Sequence, residues 1–187
     1  MSWYKILNHF KLTHLLRNVF YRLDWRKPNS SNVKDFLNEQ VYSDVKLPSF
    51  KGTNDEKMIK ILKWVKLNIT YMVDSDRFNT PEKWQTTKET LGWKTGDCED
   101  GAILMYCIAV NNKINPANLQ LVAGDVTGGG HCWLEYAPDS KYDYENQKQI
   151  WYTMDWCYWY QAGDFDNRIA KSDNYIRNWW EVSHFKE

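Results

Sequence analysis

Apolar residues recur at helical spacing in two stretches of the first seventy residues. Between residues 3 and 23 a stripe begins with Trp3, Ile6 and Phe10, which predicts an amphipathic helix. A second helix is predicted from Thr53, because Thr53 and Glu56 have the spacing of a capping box. Its apolar face consists of Met58, Ile61, Leu62, Val65 and Ile69. Residues 33–40 favour a short helix between these two.

A further helix is predicted to begin at the turn 95–101, which opens into the apolar run 102–109. Asp97 stands at the N-cap position, and Asp100, three residues on, is its capping-box partner. Cys98 then occupies the first helical position, where unpaired N–H groups and the helix dipole favour a thiolate. A small buried thiol at an ordinary helix start remains the alternative.

Further along the chain the pattern changes to alternation. Residues 119–126 and 131–136 predict two strands separated by a glycine turn at 128–130. A polar loop over 138–148 leads to a third strand at 150–156, whereas residues 74–96 are rich in loop-forming residues. Helices followed by an antiparallel meander predict an α+β fold.

Composition and charge narrow the range of partners. The break at residues 28–32 separates a basic N-terminal helix, residues 1–28, from a main domain at 29–187. Residues 1–27 carry six Lys/Arg against one acid, which suits a membrane surface or an acidic partner. We favour a simpler interpretation, in which this helix packs on the main domain. The formal net charge of zero argues against a nucleic-acid partner.

The N-terminus lacks the apolar core of a signal peptide, and no apolar run has the length of a membrane span. We therefore expect a cytoplasmic protein. A composition rich in Asn, Lys, Trp and Tyr suits a bacterial or phage-encoded chain, for which association with a virion stays open.

Three residues suggest nucleophilic chemistry when they are taken together. A cysteine nucleophile needs a base and a group that orients the base. His131 opens the second strand beside the glycine turn, where small residues admit a substrate backbone. Asp155 lies near the end of the third strand, so antiparallel pairing would bring it next to His131. Singly these are a surface histidine and a strand-end cap, but with Cys98 they favour a catalytic site.

The segments that carry this pattern resemble those of the transglutaminase-like cysteine-protease superfamily. They are Gly-Asp-Cys-Glu-Asp at 96–100, residues 129–136 and residues 151–155, and residues 84–91 are similar to the corresponding segment of the bacterial peptidases. The resemblance spans about residues 54–160. It implies a papain-like core, with the nucleophile helix packed on an antiparallel sheet and the catalytic domain at 29–187. One departure is Trp156, where the family often has Pro or Asn after the aspartate.

The resemblance implies acyl transfer by Cys98 as nucleophile, His131 as base and acid, and Asp155 as the orienting group. We expect a peptidase or amidase that hydrolyses a protein or peptide substrate through a Cys98 thioester. A protein-crosslinking transglutaminase is the alternative within this chemistry. A non-catalytic binding or structural module is the alternative outside it, with a surface formed by Trp151, Trp156, Trp159, Trp179 and Trp180.

The acids that flank the cysteine oppose thiolate formation, because like charges repel. Asp97 and Asp100 are accounted for by capping, and Glu99 is expected to turn away or to pair with a base. The chemistry requires no cofactor. The resemblance nevertheless implies that Asp97 and Glu99 could hold Ca²⁺, as acids beside the cysteine do in some bacterial members.

The remaining candidates have simpler interpretations. The indole N–H of Trp84 is a candidate oxyanion donor, although a core aromatic is the more ordinary role. No other cysteine or histidine has a partner at suggestive spacing, so we expect structural or surface roles for Cys107, Cys132, Cys157, His9, His14 and His184.

Overall fold

The computed structural model of the 187-residue chain describes residues 31–80, 82–139, 141–158 and 175–183. The N-terminal helix predicted at 1–28, with His9 and His14, lies outside the described residues, as do Trp159 and His184. The division of the chain at residue 28 therefore stays a prediction.

Five α-helices occur in the described ranges. They are α1 (Ser31–Val41), α2 (Asn54–Asn68), α3 (Asp74–Phe78), α4 (Thr87–Trp93) and α5 (Cys98–Asn111). The helices expected near 33–40 and from Thr53 are confirmed, and Thr53 and Glu56 cap α2 reciprocally. The segment 74–96 contains α3 and α4 as well as loops. No helix among the described residues is both long and apolar enough to cross a membrane.

The strands form one four-stranded sheet and two small pairs. In chain order they are β1 (Thr70–Tyr71), β2 (Thr95–Gly96), β3 (Leu119–Val126), β4 (Gly129–Tyr136), β5 (Tyr142–Asp143), β6 (Lys148–Gln149), β7 (Tyr152–Met154) and β8 (Ile176–Val182). The main sheet has the order β7-β4-β3-β8, and its neighbouring strands are antiparallel. The predicted meander and the α+β class are confirmed, and β8 adds an edge strand that the sequence pattern did not predict.

Helix α5 is the centre of the core. Its side chains are buried from Glu99 to Ala109, as expected for a helix that is apolar on all sides. The sheet packs on one side of α5, and α1, α2 and α4 pack against it elsewhere. The inward face of the sheet contributes Cys132, Leu134, Tyr136, Leu119, Leu121 and Ala123. The first residue of this central helix is Cys98, so the fold itself fixes the position of the thiol.

The glycine turn differs from its prediction. The turn comprises Thr127 and Gly128, whereas Gly129 and Gly130 already belong to β4. A Cβ at Gly130 would overlap the ring of Trp179, and Gly129 adopts a φ of 119°, in the region that favours glycine. Packing and backbone conformation therefore explain these glycines, without a substrate approaching them.

Candidate active site

The cysteine helix begins where the sequence predicts. Asp97 is the N-cap of α5, and the Asp100 carboxylate accepts the backbone N–H of Asp97 at 3.3 Å. The same carboxylate accepts the backbone N–H of Gln85 at 2.7 Å and also the Gln85 side-chain amide. Asp100 therefore joins the start of the helix to the loop before α4, which holds Cys98 at the helix tip.

His131 and Asp155 form a buried pair. The ring nitrogen Nε2 of His131 lies 2.6 Å from Oδ2 of Asp155, and the exposed fractions are 4% and 0%. The β4–β7 register pairs Glu135 with Thr153, so Asp155 falls on the same sheet face as His131, one step beyond the paired residues. The contact expected from antiparallel pairing is thus present.

Further donors fix the carboxylate of Asp155. The backbone N–H of Cys157 donates to Oδ1 at 2.8 Å, and the Tyr175 hydroxyl donates to Oδ2 at 2.8 Å. The imidazole is stacked against Trp133, with an interplanar angle of 20°, and its centroid lies 5.3 Å from that of the Tyr158 ring. Because Nε2 is bound to the carboxylate, Nδ1 is the ring nitrogen that remains for another partner.

The residues that follow Asp155 and His131 in the chain lie next to Cys98. The indole N–H of Trp156, which follows Asp155, donates to the Cys98 carbonyl at 3.2 Å. The backbone N–H of Cys132, which follows His131, faces the Cys98 sulfur. The thiol itself donates to Oε2 of Glu99 at 3.2 Å. Within the described residues no hydrogen bond joins thiol and imidazole, so their pairing as nucleophile and base stays a prediction.

The electrostatic environment of Cys98 differs from the one expected at a helix start. Burial of the thiol and then the charge of Asp97 raise its pKa well above the ordinary value, and the Cys132 N–H only partly offsets them. Burial and the Asp97 charge therefore outweigh the helix dipole at Cys98, contrary to the prediction of a favoured thiolate. Glu99 does not turn away either, since it is 3% exposed and accepts a hydrogen bond from the thiol.

Five carboxyl groups surround the helix start and are called the acidic cluster here. They form two triplets that share Asp74, and within each triplet one carboxylate oxygen per residue lies within 4.8 Å of the others. The first triplet is Asp74, Asp97 and Asp100, and the second is Asp74, Glu82 and Glu99. Sequence reasoning found the three acids beside Cys98. It missed Asp74 and Glu82, which lie in the segment without a clear pattern.

The acidic cluster is short of positive charge and of hydrogen-bond donors. Oδ1 of Asp74, Oδ1 of Asp97 and Oε1 of Glu99 are buried and have no hydrogen-bond partner in the described part of the chain. Burial raises the pKa of Asp74 to about 6 and that of Asp97 to about 8. Burial also raises the pKa of Glu99, and the charge of Asp97 adds to the shift. Such a site favours bound protons or a cation.

Several secondary expectations need correction. Trp84 is a core aromatic whose indole N–H donates to Glu82 at 2.9 Å, so it is not placed to serve an oxyanion. Trp156 and Trp180 are also buried, at 1% and 4% exposure, which removes them from the proposed aromatic surface. Cys157 does have a histidine nearby, because its sulfur belongs to a cluster with His131 and Asp155.

Gly101 and Trp156 join the helix to the strand side of the site. A Cβ at Gly101 would overlap the Trp156 indole, so this glycine admits the ring that donates to the Cys98 carbonyl. The signal in the sequence was the departure already noted, a tryptophan in place of Pro or Asn after the aspartate. Tyr175 lies in the C-terminal region, for which the sequence offered no motif.

A family model described as a transglutaminase-like domain matches residues 39–134. The match includes Cys98 and His131 and ends before Asp155. No curated protein sequence matches the chain.

Three solved structures of Legionella pneumophila LapG are similar to this chain. The calcium-bound form has a TM-score of 0.47 and 15% identity, covering 67% of this chain and 64% of its own. A second LapG structure has a TM-score of 0.47 and 18% identity, covering 65% and 58%. The EGTA-treated form has a TM-score of 0.45 and 18% identity, covering 65% and 57%. The aligned region thus spans between 57% and 64% of the length of these neighbours.

Proposed function

The chain belongs to the transglutaminase-like domain family, and we propose that it is a cysteine-dependent acyl-transfer enzyme, most simply a peptidase or amidase. Cys98 is the nucleophile, His131 the general base and acid, and Asp155 the group that orients the imidazole. The observation that carries the proposal is the buried 2.6 Å contact between His131 and Asp155, beside the helix that begins at Cys98. The substrate is a protein or peptide.

The proposed reaction follows from the orientation of the imidazole. Asp155 holds Nε2, so Nδ1 accepts the proton of the Cys98 thiol when the side chain turns from Glu99 toward His131. The sulfur attacks the carbonyl carbon, the C–N bond breaks, and the imidazolium gives its proton to the leaving amine. Water then hydrolyses the thioester with His131 as base.

The backbone N–H of Cys98 is a donor for the developing oxyanion. It belongs to the first turn of α5, where N–H groups lack partners inside the helix. The indole of Trp84 is excluded from this role by its hydrogen bond to Glu82. The burial of Trp156 and Trp180 counts against the alternative of a module that binds partners through exposed tryptophans.

The acidic cluster would hold Ca²⁺. Calcium takes about six to eight oxygen ligands, and this cluster offers paired carboxylates with three buried oxygens that have no donor in the described residues. The residue set thus fits a hard cation, which would satisfy the buried oxygens that have no donor in the described residues. A cation bound there would supply positive charge that offsets the acids raising the pKa of Cys98. The residues that would hold it are Asp74, Glu82, Asp97, Glu99 and Asp100.

A proteome-derived peptide library tests the proposed function without a known substrate. The full chain is incubated with the library in calcium buffer, and new peptide termini are identified by mass spectrometry. We expect cleavage that disappears in Cys98→Ala and persists in Cys107→Ser, whose thiol is buried in the core. Cleavage that survives in Cys98→Ala contradicts the assignment. Incorporation of a fluorescent amine into glutamine-containing peptides, without hydrolysis, would indicate a transglutaminase instead.

A further inference from the structure

A second thiol lies beside the histidine–aspartate pair. One ligand atom from each of His131, Asp155 and Cys157 lies within 4.8 Å of the others. His131 and Asp155 are buried, whereas Cys157 is half-buried, so the cluster has an accessible side. The proposed reaction uses the imidazole and the carboxylate but gives the Cys157 sulfur no role.

We propose that His131, Asp155 and Cys157 form an inhibitory binding site for a thiophilic divalent cation, represented by Zn²⁺. A thiolate, an imidazole nitrogen and a carboxylate oxygen are the donor types that zinc takes in proteins, and three of them leave a fourth position for water. The acidic cluster offers oxygen donors alone, which suit a harder cation. The two clusters are therefore expected to differ in the metal that they select.

Small movements convert the observed cluster into a tetrahedral site. Zinc bonds of about 2.0–2.3 Å place tetrahedral ligand atoms about 3.3–3.8 Å apart. The His131–Asp155 separation of 2.6 Å must widen, whereas the Cys157 sulfur already lies within 4.8 Å of both ligand atoms. The Tyr175 hydroxyl already donates to the Asp155 carboxylate, as outer groups do around metal-binding carboxylates. On binding, the proton of the Cys157 thiol passes to solvent.

The inhibitory effect rests on the proposed function, whereas the binding does not. An imidazole that ligates a cation and has lost its contact with Asp155 no longer accepts the Cys98 proton in the proposed reaction. The binding, in contrast, is measurable in Cys98→Ala, which lacks the nucleophile. The two claims therefore fail separately.

Cobalt is the spectroscopic probe for the site. Co²⁺ is titrated into the full-length Cys98→Ala protein in excess Ca²⁺, which occupies oxygen-only sites. We expect a thiolate-to-cobalt charge-transfer absorption that Zn²⁺ displaces. Adding Cys157→Ser should remove this absorption, and adding Cys107→Ser should leave it intact. Absence of the band in Cys98→Ala, or its persistence after Cys157→Ser, overturns the proposal.

Alkylation protection provides a readout that needs no change at Cys157. In Cys98→Ala with excess Ca²⁺, Zn²⁺ at about ten times its Kd should slow the reaction of Cys157 with N-ethylmaleimide by about tenfold, because only the metal-free fraction has an unligated thiol. An unchanged rate overturns the site. Where peptide cleavage is measurable, Zn²⁺ should inhibit the wild type and require about tenfold more metal in Cys157→Ser. Equal inhibition of both proteins overturns the inhibitory role but leaves the cleavage assay itself valid.

Discussion

The strand side and the helix side of the candidate site are built in opposite ways. On the strand side, both oxygens of Asp155 accept hydrogen bonds, and the imidazole of His131 is held by the carboxylate and by aromatic rings. On the helix side, Cys98 lies among acids of which Asp74, Asp97 and Glu99 each have one buried oxygen without a hydrogen-bond donor in the described residues. The strand side is therefore complete within the chain, whereas the helix side needs protons or a cation to balance its charge.

The largest expected effect comes from breaking the strand side. Asp155→Asn should lower kcat/KM for peptide cleavage by about 10³–10⁴-fold, because the amide stabilises neither the imidazolium nor its orientation as a carboxylate does. Glu135→Gln is the matched control, since Glu135 is a buried acid on the same face of β4. A rate for Asp155→Asn equal to that of the control would show that the pair is not part of the reaction.

Binding of Ca²⁺ to the acidic cluster on the helix side should produce the next largest effect. Ca²⁺ at 100 times its Kd should stabilise the protein by about 2.7 kcal/mol, because it binds a cluster that exists in the folded state. Calorimetric melting with Ca²⁺ or EGTA measures this shift. Asp97→Asn should greatly reduce it while keeping a good N-cap, and Asp143→Asn, in β5 and outside the acidic cluster, should not. An equal calcium shift in Asp97→Asn would argue against the acidic cluster as the site.

The contact between the two sides can be broken by one methyl group. Gly101→Ala should destabilise the fold by about 1–3 kcal/mol, since its Cβ would overlap the Trp156 indole. Gly92→Ala is the matched control, because a Cβ added at Gly92, within α4, has no atom within 4 Å. We expect that control to be neutral or stabilising. Urea unfolding compares the two, and equal stabilities would mean that the indole has room to move.

The most gradual effect is a pH dependence that belongs to the helix side, because it is spread over several pH units. Burial raises the folded-state pKa of Asp74 to about 6 and that of Asp97 to about 8, so the folded protein binds more protons than the unfolded chain above about pH 4. In EGTA, stability should therefore fall from pH 5 to pH 8, by at most about 1.4 kcal/mol per pH unit for each group. Asp97→Asn should flatten the slope. Stability that rises over this range in EGTA would contradict the assignment.

The sequence was sufficient for features that depend on local pattern and chain order. The start of α5 followed from Asp97 and Asp100, because capping is a local interaction. The contact between His131 and Asp155 followed from the meander, since antiparallel pairing brings the start of one strand beside the end of the next.

The features that the sequence did not reveal depend on tertiary packing. Asp74 and Glu82 reach Glu99 only because the chain around α3 packs near the helix tip, and no periodicity marks that segment. Glu99 was expected to turn away from the cysteine or to pair with a basic group, yet it is buried and accepts a hydrogen bond from the thiol. Cys157 was interpreted as structural because its histidine neighbour is 26 residues away in the sequence.

The rate at which each cysteine is alkylated tests the central claim most directly. The full chain is treated with iodoacetamide in calcium buffer, and modification of Cys98, Cys107, Cys132 and Cys157 is followed by peptide mass spectrometry. The account predicts that Cys98 reacts at least about tenfold faster than the others, and that His131→Ala removes this advantage, because the imidazole generates the thiolate. Equal rates for the four thiols, or a fast Cys98 that is indifferent to His131→Ala, would contradict it.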